Sequence, residues 1–245
     1  MNLDENIAEI PKSNEVISRF KLWMQSGINS SSNKPEEEEI RMSGALCIGN
    51  LARSDETCLI LVKDHGVGIS LLSLLKLEVD WLRMQGGVRD EKSSGVKVLH
   101  AVVGALKNLS LTVDNRPILG SQKAIERIVS LFEFEELRPA FYPCIGVLKN
   151  LCAGDNPANA YRIITGLEPN AKFKSLAELP TTTPNPLSPL GRLITLVWNS
   201  TGDSQTGIRS EGARVIVNLI RAINRAQGKR LDLFLVFWRL YLYLF

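Results

Sequence analysis

Four short segments of this chain repeat one pattern around an asparagine. They read GALCIGNLA at Asn50, VVGALKNLS at Asn108, CIGVLKNLC at Asn150 and GARVIVNLI at Asn218. A leucine follows each asparagine: Leu51, Leu109, Leu151 and Leu219. Two residues before it stand Ile48, Leu106, Leu148 and Ile216, and five before it Ala45, Val103, Ile145 and Ala213. Steps of three keep these columns on one face of a helix. The asparagine falls one residue off that stripe, at its edge. A repeating unit of this kind touches its neighbours and little else, so the chain must stack its units in a row.

The asparagines are 58, 42 and 68 residues apart. The middle spacing matches the roughly 40–47 residues of an armadillo or HEAT unit. The other two need insertions. Residues 84–95, MQGGVRDEKSSG, are polar and glycine-rich, and residues 167–189 carry Pro180, Pro184, Pro186 and Pro189 among threonines. Prolines at that density exclude one continuous helix. After Asn50 comes SDETCLILVKDHG, with Ser54 placed to cap a helix and Glu56 in its first turn. Gly66 then breaks the chain before the longer run VGISLLSLLKLEVDWL. VDNRPILGSQKAIERIVSLFEF after Asn108 and DNPANAYRIITG after Asn150 repeat the arrangement. Three helices per unit, with a glycine between the first two, resemble armadillo repeats more than two-helix HEAT repeats. The segment from Ser13 to Ser26 places Val16, Ile17, Phe20 and Trp23 at helical spacing and reads as the second helix of a unit. The expected fold is all-α: a right-handed α-solenoid of about four armadillo-like units over residues 13–227, with inserted loops near 84–95 and 167–189. Residues 1–12 read as a disordered N-terminus, and residues 228–245 as an atypical hydrophobic tail.

Composition narrows the function classes. Hydrophobic residues make up 44% of the 245, enough for a core. Formal net charge is +3 and no basic stripe stands out along the chain, so nucleic acid is not the expected partner. Aromatics are 7%, too few for base-stacking platforms. Cys47, Cys58, Cys144 and Cys152 form no C-x-x-C pair, and with two histidines a zinc site is not expected. They read as reduced core cysteines of a cytosolic protein. The acidic N-terminus lacks the apolar stretch of a signal peptide. The tail LDLFLVFWRLYLYLF holds Asp232 and Arg239 and is short of the roughly twenty residues of a membrane span. No G-x-x-x-x-G-K-[ST], H-E-x-x-H or G-x-S-x-G motif occurs. His65 and His100 have no partner pattern, so a non-catalytic binding protein without cofactor or metal is expected.

One stretch carries a family resemblance. IRMSGALCIGNLARSDETCLILVKDHGV, residues 40–67, resembles one repeat of the SmgGDS family, the armadillo-type GDP dissociation stimulators of small GTPases. Gly44, Ala45, Leu46, Ile48, Asn50, Ala52, Arg53 and Asp55 carry the likeness, which continues through HAVVGALKNLSLTVDNRPIL, residues 100–119. Residues 192–221 fit that family's next helix pair. The resemblance implies binding to Rho- and Rap-type GTPases with basic, prenylated tails, and either GDP release or an escorting role. It also implies a longer protein with repeats on both sides; the hydrophobic tail is unlike the family. A generic armadillo scaffold or trafficking adaptor is the alternative.

Candidate partner-binding residues follow from the repeat. In armadillo units the third-helix asparagine lies on the concave face, where it can bond an extended partner's backbone. That reading assigns Asn50, Asn108, Asn150 and Asn218 to a ladder. The competing reading is that each asparagine bonds a neighbouring helix and shapes the repeat. Arg53 lies one turn beyond Asn50, able to pair with it or with a partner acid. Lys107 and Lys149 precede their asparagines and can face acidic groups of a partner. Glu36, Glu37, Glu38 and Glu39 can steer a basic tail, or form a solvated helix start. Four residues before each asparagine stand Leu46, Gly104, Gly146 and Arg214. The tryptophan array of nuclear-signal receptors is therefore absent. Trp81 and Trp198 read as core or inter-repeat packing.

Overall fold

The computed structural model describes residues 9–27, 34–84, 94–154, 157–169, 187–202 and 205–227. Among these there is helix and no strand. Eleven helices matter here. They are α1 (Asn14–Met24), α2 (Pro35–Leu51), α3 (Asp55–Leu59), α4 (Val67–Met84), α5 (Ser94–Leu109), α6 (Asn115–Ser121), α7 (Ala124–Ser130), α8 (Arg138–Leu151), α9 (Pro157–Thr165), α10 (Pro189–Asn199) and α11 (Thr206–Gln227).

The helices form three rows. The asparagine helices pack side by side in the order α2, α5, α8, α11. Behind them α1, α4, α7 and α10 form a second row, and the short helices α3, α6 and α9 a third. Each unit therefore stacks on the one before it, the layout of an α-solenoid. The columns of the sequence pattern face the core between rows. Ala45, Ile48, Val103, Leu106, Leu109, Ile145, Leu148 and Leu151 are all buried. The fourth segment departs from this in part: Ala213 is exposed and Ile216 half-buried, while Leu219 is buried. Position 213 lies on the side of α11 where, in the earlier units, the next asparagine helix packs.

Local chemistry sets the helix boundaries. Ser54 caps α3 in a box with Thr57: the Thr57 N–H donates to Ser54 Oγ and the Ser54 N–H to Thr57 Oγ1, each at 3.2 Å. Beyond Leu59 the helix widens into a π turn, Ile60–Asp64. The chain then turns by 74° into α4 at Gly66, whose φ of +63° favours glycine. The second unit differs from expectation. Gly120 is not the corner; it lies inside α6, where a Cβ would fall 1.8 Å from Asn159 Oδ1. The left-handed corner residue is Lys123, at φ +66°. Glycine is kept at 120 for closeness, not for turning.

One buried ion pair ties three segments. Arg41 on α2 and Glu78 on α4 are both fully buried, with Nε 3.0 Å from Oε1. Arg41 Nη1 also donates to the Ser26 carbonyl just beyond α1, at 2.8 Å. Cys58, Cys144 and Cys152 are buried free thiols, and burial pushes the Cys152 thiol up to about 12. Cys47 is half-buried, not core. Trp198 corrects its expectation outright: it is 56% exposed, standing on the outer side of α10. Among the described residues no single helix is long and apolar enough to cross a membrane. The expected loops near 84–95 and 167–189 lie mostly outside the described residues, as does the tail at 228–245. Residues 1–8 also lie outside; within the segment expected to be disordered, Ile10–Lys12 forms a 3-10 turn with Pro11 buried.

Replacing Arg41 by methionine leaves Glu78 as a buried charge without this partner. Urea unfolding should show a loss of about 3–5 kcal/mol, and a loss under 1 kcal/mol would show that the pair is not structural.

Candidate functional site

The asparagine ladder is built by a repeated hydrogen bond. Asn108 Nδ2 donates to the Gly49 carbonyl at 3.1 Å, Asn150 Nδ2 to the Lys107 carbonyl at 3.3 Å, and Asn218 Nδ2 to the Lys149 carbonyl at 3.3 Å. Each acceptor is the residue just before the previous asparagine. These carbonyls sit in the last turns of α2, α5 and α8, where the helix supplies no partner of its own. Asn150 also donates to Ser110 Oγ at 3.0 Å. Asn50 is the first of the four in chain order. It is exposed, and among the described residues its backbone carbonyl is engaged, accepting from Arg53 Nε at 2.8 Å. The four asparagines thus divide: three stitch helix to helix, and Asn50 faces solvent together with exposed Arg53.

A second asparagine column was not anticipated from the sequence. Asn115 Nδ2 donates to the carbonyls of Cys58 (2.9 Å) and Leu109 (3.1 Å). Asn159 Nδ2 donates to those of Arg116 (2.8 Å) and Leu151 (3.1 Å). Each is fully buried and joins its short helix both to the end of the asparagine helix just before it and to the short helix of the preceding unit. Arg116 extends the same work, donating to the carbonyls of Ser110, Leu111 and Ala153. The signal lay in the repeated Asn-Arg-Pro and Asn-Pro-Ala-Asn runs, which read as ordinary turn chemistry.

The outer face of the asparagine row carries the remaining candidates. Lys107 is half-buried, its stem lying over Gly146 and its Nζ 5.2 Å from the centroid of the exposed Tyr142 ring. Lys149 Nζ lies 2.6 Å from Glu211 Oε2, and Arg214 bonds the other oxygen of the same carboxylate. Burial pushes the Glu211 carboxyl up, but the bonds and charges of Lys149 and Arg214 outweigh it and hold it below its ordinary value. Of the acidic run, Glu36 and Glu39 are exposed at the start of α2. Glu37 lies against Gly27, and Glu38 is buried at 7% exposure. The structure therefore leaves Glu36 and Glu39 facing outward and turns Glu38 inward. His65 Nε2 is 2.7 Å from the Pro11 carbonyl, and His100 is exposed on α5. Among the described residues no group of histidine, cysteine and carboxylate side chains is placed to hold a metal ion.

Known proteins give a partial likeness. Over 136 residues the chain is 29% identical to the Rap1 GTPase-GDP dissociation stimulator 1-A of Xenopus laevis, and equally to the 1-B protein of the same organism. The match takes in 56% of this chain and 19% of each relative, so the chain corresponds to about a fifth of their length. No family model matches.

Two outcomes test the ladder. Asn150→Leu removes two hydrogen bonds from a buried position, with the Lys107 carbonyl still accepting from Ser110 Oγ, and should cost about 1–3 kcal/mol by urea unfolding, whereas Asn50→Ala should stay within about 0.5 kcal/mol. Equal costs at the two positions would remove the distinction between stitched and open rungs. Glu211 has a depressed pKa in the folded chain. Its contribution is therefore full above the ordinary carboxylate range and is lost as pH falls through the folded value. Lys149→Met should accordingly destabilise the chain at neutral pH, with the difference from the unaltered chain closing in acid. A difference that is constant with pH would show the pair to be inert.

Proposed function

We propose that the chain is an armadillo-type, right-handed solenoid of about four units that binds a small GTPase of the Rho or Rap type. It acts there as a GDP dissociation stimulator or as an escort, in the cytosol and without bond chemistry of its own. The observation that carries this reading is the 29% identity to the two Rap1 GTPase-GDP dissociation stimulators. The stacked helices and the outer face of the asparagine-helix row, with Asn50 exposed on it, supply a surface of the right kind.

The mechanism is a population shift. A surface that holds the nucleotide-free GTPase more tightly than the GDP-bound form lowers the affinity for GDP by the same factor. A tenfold preference corresponds to about 1.4 kcal/mol of differential contact. Such contact falls on the switch loops, whose order depends on nucleotide and magnesium. No general base is needed. Asn50 and Arg53, exposed together, are the contact residues assigned to the partner. Glu36 and Glu39 lie on the same helix, where a basic tail finds carboxylates in solvent.

The experiment is direct binding of the chain to a Rap- or Rho-type GTPase with its basic tail, nucleotide-free against GDP-loaded. Tighter binding to the empty form, followed by faster GDP release, is the expected result. Equal binding to both forms removes the exchange activity, and no binding by a folded sample removes the GTPase. Asn50→Ala with Arg53→Ala should weaken the interaction about tenfold while leaving helical circular dichroism unchanged.

A further inference from the structure

Charge is divided unevenly along the asparagine row. The first helix, α2, opens with Glu36, Glu37, Glu38 and Glu39, and its one cation, Arg41, is buried against Glu78. The other three helices reverse the sign. They carry Lys97 and Lys107 on α5, Arg138 and Lys149 on α8, and Arg209, Arg214, Arg221 and Arg225 on α11, and Glu211 is the single carboxylate in all three. A net charge of +3 for the whole chain conceals this division.

Three of the α11 cations share one face. Gly207, Arg214, Arg221 and Arg225 recur at steps of seven, seven and four, which holds them on one stripe of α11. Gly207 faces the Tyr142 ring of α8, where a Cβ would fall 3.1 Å from a ring carbon. Tyr142 in turn lies beneath Lys107 of α5. Gly146 lies buried beneath the stem of Lys107, and the surface is low at Gly104. A Cβ at Gly104 would meet nothing within 4 Å, so open space stands above it.

We propose that this basic face of α5, α8 and α11 is a docking surface for an extended, acidic polypeptide segment. The chemistry is already displayed once within the fold. Glu211 is a carboxylate held by Lys149 from one helix and Arg214 from its own, and the two cations are arranged around it as they would be around a carboxylate from outside. Adjacent helices lie about 10 Å apart, the span of about three residues of extended chain. A segment crossing the row with acids at about every third position meets exposed Lys97 on α5 and exposed Arg221 on α11, with the Lys149–Glu211 pair of α8 and α11 between them. Single-stranded nucleic acid fits less well, because stacking uses several aromatic faces and, among the described residues, Tyr142 is the one ring on this face, with Lys107 Nζ 5.2 Å from its centroid. The inference uses the same helix row as the small-GTPase reading but not the identity of the partner.

The test is fluorescence anisotropy of a labelled oligoglutamate peptide with the full chain at low salt, beside oligoglutamine of equal length and a single-stranded oligonucleotide. Oligoglutamate should bind, oligoglutamine should not, and affinity should fall more than about tenfold on raising salt to physiological strength and beyond. Lys97→Glu with Arg221→Glu should abolish binding, while Arg19→Glu, exposed on α1 away from this face, should leave it unchanged. Circular dichroism of each variant confirms folding, and Lys97→Gln with Arg221→Gln gives a milder second pair should the reversal unfold the chain. Binding of oligoglutamine as tight as that of oligoglutamate overturns the proposal. So does indifference to both variant pairs. Tighter binding of the oligonucleotide than of the peptide also overturns it, assigning the face to nucleic acid.

Discussion

Each asparagine helix before the last ends within the stack, and a helix end cannot be buried without partners for its last carbonyls. The fold meets this requirement with side-chain amides from the following unit. An amide suits the task because it donates without charge, and burying a charge there would cost far more than the bond returns. A hydrogen bond of this kind contributes about 1 kcal/mol net, but an orphaned carbonyl costs more. The bond therefore acts less as glue than as a condition on register. A unit shifted along the row by one turn would leave the carbonyl of the unit before it without its donor.

Much of the fold was legible because the pattern repeated. A single apolar run at helical spacing fits many folds, but the columns from Ala45 to Leu51, Val103 to Leu109 and Ile145 to Leu151 fit one arrangement of neighbours, and all are buried. Ser54 declared itself as a cap through its place before Asp55 and Glu56. What stayed hidden depends on pairs distant in sequence. Arg41 and Glu78 meet across thirty-seven residues, and nothing in either neighbourhood marks them. Asn115 and Asn159 sit where turns favour asparagine anyway, so their buried role had no separate signature. Glu38 shows the limit within a single helix. Four identical residues give no phase, and only the packing of α2 on α1 and α4 decides which of them turns inward.

The site was legible in kind and less so in use. The asparagine column was visible as a column, but whether an amide is spent on a neighbour or offered to a partner depends on what stands beside it. Asn108, Asn150 and Asn218 each have a helix end within reach; Asn50 has none among the described residues. Lys107 and Lys149 were visible as equivalent positions, yet they differ in company, one over a tyrosine ring and the other on a carboxylate. Trp198 stands exposed because helical spacing alone does not say on which side of α10 the next row lies.

The acceptor in each stitch is a backbone carbonyl, which every amino acid possesses. The side chain at that position is accordingly left out of the bond, and Gly49, Lys107 and Lys149 occupy it in turn. The stitch itself therefore sets no requirement on the side chain there, and other contacts do: Gly49 packs on Ala105 and Lys149 holds Glu211. At position 107, where the side chain rides over a tyrosine ring, a substitution can change the outward charge while Asn150 still finds its oxygen. A scaffold built this way can change what it recognises faster than it changes shape.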